Sequence, residues 1–133
     1  GDDFFGGAAI NIETRKGVVQ LGGFVDEAAE GERAATVAAG VNGVRHVDNQ
    51  LHPKPGETSM GQKVDDRLIT TRVKARISEE DLGTGWKVNV DTQSGVVLLT
   101  GFVGDIATKK KVEAIAVDEK EVKSVINGVY VLD

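Results

Sequence analysis

The chain has 133 residues, of which 40% are hydrophobic and 28% charged, with a net charge of −5 and no cysteine. This is a globular composition; it excludes disulfides, thiol catalysis and thiolate metal sites, and the acidic balance argues against a generally basic nucleic-acid binder. No apolar run approaches the roughly 20 residues that a spanning helix needs, and no signal peptide is read at the start. In chain order, Ala9–Thr14 and Val18–Val25 read as a hairpin around the turn Arg15-Lys16-Gly17. A helix follows, with Ala34, Val37, Ala38 and Val41 expected on its buried face. A strand comes next, carrying Val44, Val47 and Leu51. Residues 52–59 hold two prolines, a glycine and polar residues with no apolar period, which predicts a linker, placed at 53–61. Residues 62–78 contain no glycine or proline. They read as a helix with Ile69, Val73 and Ile77 stacked toward a sheet and acidic residues near its start. A second hairpin, 88–92 and 96–103, turns at Gln93-Ser94-Gly95. A helix with Val112, Ile115 and Ala116 inward follows, and then a strand over 122–131.

Shifting the chain by 78 residues aligns it with itself without a gap. Gly17-Val18-Val19-Gln20-Leu21 falls on Gly95-Val96-Val97-Leu98-Leu99, and Gly23-Phe24-Val25 on Gly101-Phe102-Val103. Val44, Val47 and Asn49 fall on Val122, Val125 and Asn127. Fourteen of the 41 positions from 11 to 51 are identical. The chain is therefore two copies of one unit. The fold class expected is α+β, with a first repeat over 1–52, a linker over 53–61 and a second repeat over 62–133. The second unit reads αββαβ. The first reads ββαβ, and a counterpart of the 62–78 helix would have to precede residue 1.

The pattern Gly-Val-Val-x-Leu-x-Gly-Phe-Val, a helix, and then Gly-Val-x-x-Val-x-Asn resembles the BON domain, named for bacterial osmotically inducible and nodulation proteins. The resemblance covers 8–52 and 62–132. It departs where Glu121 stands in place of the glycine at Gly43. It implies a non-enzymatic stress-response module of the Gram-negative periplasm that binds phospholipid or other envelope components. It carries over no catalytic residue and no cofactor. Folding alone accounts for Gly17, Gly95, Gly23 and Gly101, which sit in turns or inside strands.

Few residues suggest chemistry. His46 and His52 lack metal spacing and read as surface histidines. Glu79-Glu80-Asp81 lacks the spaced loop of a calcium site and reads as a solvated helix end. Trp86 is placed at a core edge, with a membrane interface as the alternative. The helix 62–78 is the most informative segment. Val64, Leu68 and Ala75 form a second apolar stripe, flanked by Lys63, Arg67 and Lys74 on one side and Arg72 and Arg76 on the other. A basic-edged apolar stripe suits an anionic phospholipid surface. The cluster Lys109-Lys110-Lys111 adds to it, with a solvated helix face as the plainer reading. The same stripe equally suits packing on the first repeat.

The first repeat lacks a covering helix in this chain. The patch of Ile10, Ile12, Val19 and Leu21 is therefore expected to be covered, either by the 62–78 helix or by another copy. The second route implies a homodimer by helix sharing or domain swapping. The alternative function is a chaperone-like interaction module that takes extended or unfolded envelope proteins by strand addition. No nucleic-acid partner is expected.

Overall fold

The computed structural model describes residues 10–56, 64–83 and 85–132. It divides into two compact units, 1–54 and 55–133. Parts of the expected linker (57–61), the expected helix start at Gln62, Lys63 and the Ala9 end of the first strand lie outside the described residues.

Unit 1 contains β1 (Asn11–Arg15), β2 (Val18–Val25), α1 (Ala28–Ala39) and β3 (His46–Pro53). β2 is the central strand. It pairs antiparallel with β1 and parallel with β3. A parallel neighbour requires a crossover connection, and α1 supplies it. The hairpin turns through Lys16 and Gly17, both with positive φ (51° and 82°). This two-residue turn matches the twist of the strands it joins. α1 begins at a reciprocal cap in which Glu27 accepts from the N3 backbone and Glu30 accepts from the Glu27 backbone. Its packing differs from expectation. Gly31 and Ala34 are buried, and Ala35 and Ala38 pack on Val19, Leu21, Val25 and Leu51. Val37 and Val41 are exposed instead. The helix lies so near the sheet that a Cβ on Gly31 would stand 3.1 Å from Leu51 Cβ. Small residues therefore make the contact; Val37, one step around the helix, points away from it, and Val41 lies past the helix end at Ala39.

The first unit's patch is not covered by either expected route among the described residues; part of it is buried within the unit itself. Val19 and Leu21 are buried beneath α1 and β3. Ile12, on β1, is 64% exposed, because α1 covers β2 and β3 and does not reach that strand.

Unit 2 contains α2 (Asp66–Ser78), β4 (Lys87–Gln93), β5 (Val96–Val103), α3 (Ile106–Asp118), β6 (Ser124–Asn127) and β7 (Tyr130–Val131). β5 is central, antiparallel to β4 and parallel to β6 and β7. The last strand, expected as one run, is split at Gly128-Val129. The order is αββαβ, with the final strand in two parts, and among the described residues unit 1 repeats it without the first helix. Both helices pack on one face of the sheet. Ile69, Val73 and Ile77 of α2 share a core with Val90, Val97, Leu99 and Val103 and with Val112 and Ala116 of α3. α2 ends at Ser78, before Glu79-Glu80-Asp81, with Asp65 capping its start through Leu68 N. Gly101 has φ 115°, and a Cβ built on it would collide with Lys87 O. Strand β4 therefore crosses too closely for any other residue.

The repeated asparagine ties helix to last strand in both units. Asn49 Nδ2 donates to Gly31 O and Asn127 Nδ2 to Lys109 O. Their Oδ1 atoms accept from Leu51 N and Val129 N. The match at these positions serves the fold.

Candidate functional site: the helical face of unit 2

α2 and α3 form an outer layer over one side of the unit 2 sheet. Their inward faces are fixed by the core, which determines what faces outward. On α2, Arg67, Leu68, Lys74 and Ala75 are exposed, Leu68 by 39%. Val64 precedes the helix and packs partly against the core. The expected second stripe is thus reduced to Leu68 and Ala75 at the surface. On α3, Ile106 and Val117 are exposed, with Lys110 between them in sequence. Sequence reasoning missed both apolar residues. Ile106, Lys110, Glu113 and Val117 follow helical spacing on the side opposite Val112 and Ala116, and that spacing was the available signal.

The basic residues divide into two groups. Arg72 and Arg76 are engaged within the unit. Arg76 donates to Ile115 O at 3.3 Å and pairs with Glu119 and Asp118 at 3.4 and 3.2 Å. Arg72 lies 4.0 Å from Glu119 and 3.8 Å from Glu121. These two arginines join α2 to the end of α3. Lys111 pairs with Glu80 at 3.0 Å. In contrast, Arg67, Lys74, Lys109 and Lys110 form no ion pair among the described residues. An open cleft of about 340 Å³ lies beside Arg67, lined also by Asp66, Thr70, Thr71 and Thr92.

Asp66 does a different job. Its two carboxylate oxygens accept from Ser94 N at 2.8 Å and Gly95 N at 2.9 Å, clamping α2 to the β4–β5 turn. Thr70 donates to the Thr92 hydroxyl at 2.8 Å along the same contact. Asp105 caps α3 through Thr108 N at 2.7 Å, and that hydrogen bond holds its carboxyl below the ordinary range. The histidines are placed without a cluster. His46 is exposed, and His52 shares a hydrogen bond with Gln50. Burial lowers the His52 pKa, partly offset by Asp48. Among the described residues no group of three metal-ligating side chains occurs. Trp86 is half-buried against Gly83 and Gly104. No helix among the described residues is long and apolar enough to cross a membrane.

Two units of one order, each a hairpin whose central strand takes a parallel partner across a helix, define a tandem α+β module with a surface rather than a deep pocket as its candidate site. The BON domain family matches residues 1–55 and 65–133, and the chain belongs to it. Osmotically-inducible protein Y of Escherichia coli (strain K12) is 38% identical over 119 residues, covering 89% of this chain and 59% of that protein. A 21 kDa hemolysin of Actinobacillus pleuropneumoniae is 33% identical over 95 residues, covering 71% of this chain and 48% of that protein. The chain thus spans about half the length of these curated relatives. Among solved structures, the C-terminal domain of CdsD, a structural protein of the Chlamydia trachomatis type III secretion system, matches at 16% identity. The TM-score is 0.46, with 93% of this chain and 57% of that chain covered.

Proposed function

We propose that this chain is a non-enzymatic envelope-stress module of the periplasm whose second unit associates reversibly with anionic phospholipid. The observation that carries this reading is the set of cations without ion pairs among the described residues, Arg67, Lys74, Lys109 and Lys110, on a helical layer that also exposes Leu68, Ile106 and Val117. The osmotically inducible relative supports a role in osmotic stress, and the name hemolysin on another relative is in keeping with contact at membranes. The three apolar side chains are already half-covered, so each gains about 1 kcal/mol on entering an interface. Each cation adds about 1 kcal/mol near an anionic surface. The larger share is electrostatic, so binding is weak and sensitive to salt. The reading of the chain as a strand-addition chaperone is less favoured, because the β1 edge carries Glu13 and Arg15 and the β3 edge Asp48.

Sedimentation with vesicles of anionic and of zwitterionic phospholipid tests the proposal. The chain is expected to pellet with anionic vesicles at low salt and to be largely released at physiological salt. Replacing Arg67 and Lys110 together by Gln is expected to lower affinity about thirtyfold at low salt, from about 1 kcal/mol per charge. Failure to pellet with anionic vesicles at low salt would overturn the lipid reading.

A further inference from the structure

Asparagine is followed by glycine twice in the chain, at Asn42-Gly43 and at Asn127-Gly128. The pair has a chemistry of its own. The backbone nitrogen of the second residue can attack the side-chain carbon Cγ of the asparagine and close a five-membered ring. Glycine favours the attack, because no Cβ obstructs it and the backbone turns easily. By sequence the two pairs are equivalent. The structure separates them.

Asn127-Gly128 is held on both sides of the reaction. Gly128 is buried and its N donates to Leu99 O at 2.8 Å, so the attacking nitrogen is already engaged with β5. Asn127 Nδ2 donates to Lys109 O at 2.9 Å and to Glu113 Oε1 at 3.0 Å, and Oδ1 accepts from Val129 N at 3.2 Å. Asn42-Gly43 lies in the turn from α1 to β3, with both residues exposed. One backbone bond, Val44 N to Val41 O at 3.2 Å, closes that turn. Among the described residues no hydrogen bond meets the Asn42 side chain or Gly43 N. Gly43 has φ 92°, and a Cβ built on it would meet no atom within 4 Å, so the turn has room for the ring. The repeat places Lys120-Glu121 opposite Asn42-Gly43, so unit 2 has no counterpart of this pair.

We propose that Asn42 is a site of spontaneous deamidation that alters unit 1 as the protein ages, while Asn127 is protected. Gly43 N gives its proton to solvent and bonds to Asn42 Cγ. The Cγ–Nδ2 bond breaks, and the nitrogen takes up a proton and leaves as ammonia. Water then adds to one of the two ring carbonyls and reopens the ring. Cleavage between Cγ and the ring nitrogen gives aspartate. Cleavage between the main-chain carbonyl carbon and that nitrogen gives isoaspartate, whose main chain runs through Cβ and Cγ. Nothing is oxidised or reduced. Either product sets a carboxylate just beyond Gly40, the C-cap of α1. That helix has no basic residue in its last turn, so the new charge opposes the helix dipole unscreened by a cation there. Isoaspartate also lengthens the connection to β3 by one backbone atom. Ageing at Asn42 therefore loosens the joint between α1 and β3.

Incubation of the whole chain at mildly alkaline pH, folded and in urea, tests this, with tryptic peptides read by mass spectrometry. Peptide 34–45 carries Asn42 and peptide 124–133 carries Asn127, so the two sites report separately. Four hydrogen bonds must open at Asn127-Gly128 against one at Asn42-Gly43, so folded Asn42 is expected to convert about a hundredfold faster. In urea the two rates are expected to converge, with Asn42 within about tenfold of its folded rate. Isoaspartyl methyltransferase is expected to label peptide 34–45 after folded incubation, and Asn42→Gln, an exposed and conservative change, to abolish that label. Asn42→Asp carries the product's charge without the longer backbone. It is expected to speed amide exchange at Gly40 and Val41 about threefold. Equal folded rates, a faster Asn127, a difference that persists in urea, or folded Asn42 as slow as Asn127 would overturn the proposed site. Unchanged exchange in Asn42→Asp would overturn the loosening of α1.

Discussion

Glu121 illustrates what a single residue records. By sequence it is the one break in the repeated pattern, standing where the first copy has Gly43. The backbone does not follow the change: φ is 71° at Glu121 and 92° at Gly43. The side chain is held in a region that costs a non-glycine residue about 1 kcal/mol. Its ion pair with Arg72, at 3.8 Å and exposed, returns little. Glu121→Gly is therefore expected to stabilise unit 2 by about 0.5 kcal/mol, after the entropy that glycine adds to the unfolded chain. Urea unfolding measures it, and a lowered midpoint would count against the strain argument. The turn glycines were legible because glycine and its spacing announce positive φ. The close passage of Lys87 O over Gly101 was legible only as a glycine inside a strand, since sequence carries no distances.

At the level of elements, α2 was readable because its three buried residues recur at i, i+4 and i+8 and meet a sheet directly. The face of α1 was misread because Ala34, Val37, Ala38 and Val41 satisfy the same period. Which half of that stripe is buried depends on a neighbouring helix, present in unit 2 and not among the described residues of unit 1. The arginines posed the opposite problem. Arg72 and Arg76 resemble free cations on their own helix, and their carboxylate partners lie at the end of α3, more than forty positions away, where periodicity cannot find them. Asp66 read as an acid near a helix start, yet it fastens that helix to a hairpin. Asp66→Ala is expected to cost about 2 kcal/mol through the loss of two charge-assisted hydrogen bonds to part-buried amides. Hydrogen exchange should rise selectively at Ser94 and Gly95. Unchanged exchange there would show that the turn holds itself.

For the molecule as a whole, the gapless self-match made the repeated architecture legible and left the difference between the copies to be found in space. The central strand residues Val97 and Leu99 are fully buried, while Val19 and Leu21 keep a little exposure. Ile69, Val73 and Ile77 account for much of this contrast, each contributing roughly 2 kcal/mol of gross burial to unit 2 alone. Amides of Val97 and Leu99 are therefore expected to exchange at least about tenfold more slowly than those of Val19 and Leu21 in the same sample. Equal protection would contradict a stability difference between the units. The parallel pairing in each sheet has a further consequence, for the order of events during synthesis. The central strand of each unit waits for a partner that lies beyond the crossover helix. A nascent chain leaving the ribosome amino end first can form each hairpin early, but closes neither sheet until that unit's last strand has emerged. The first sheet can close while the second is still being made. Premature termination before Ser124 therefore strips β5 of a whole ladder rather than shortening a tail, and leaves a half-built hairpin with an unpaired edge open to other chains.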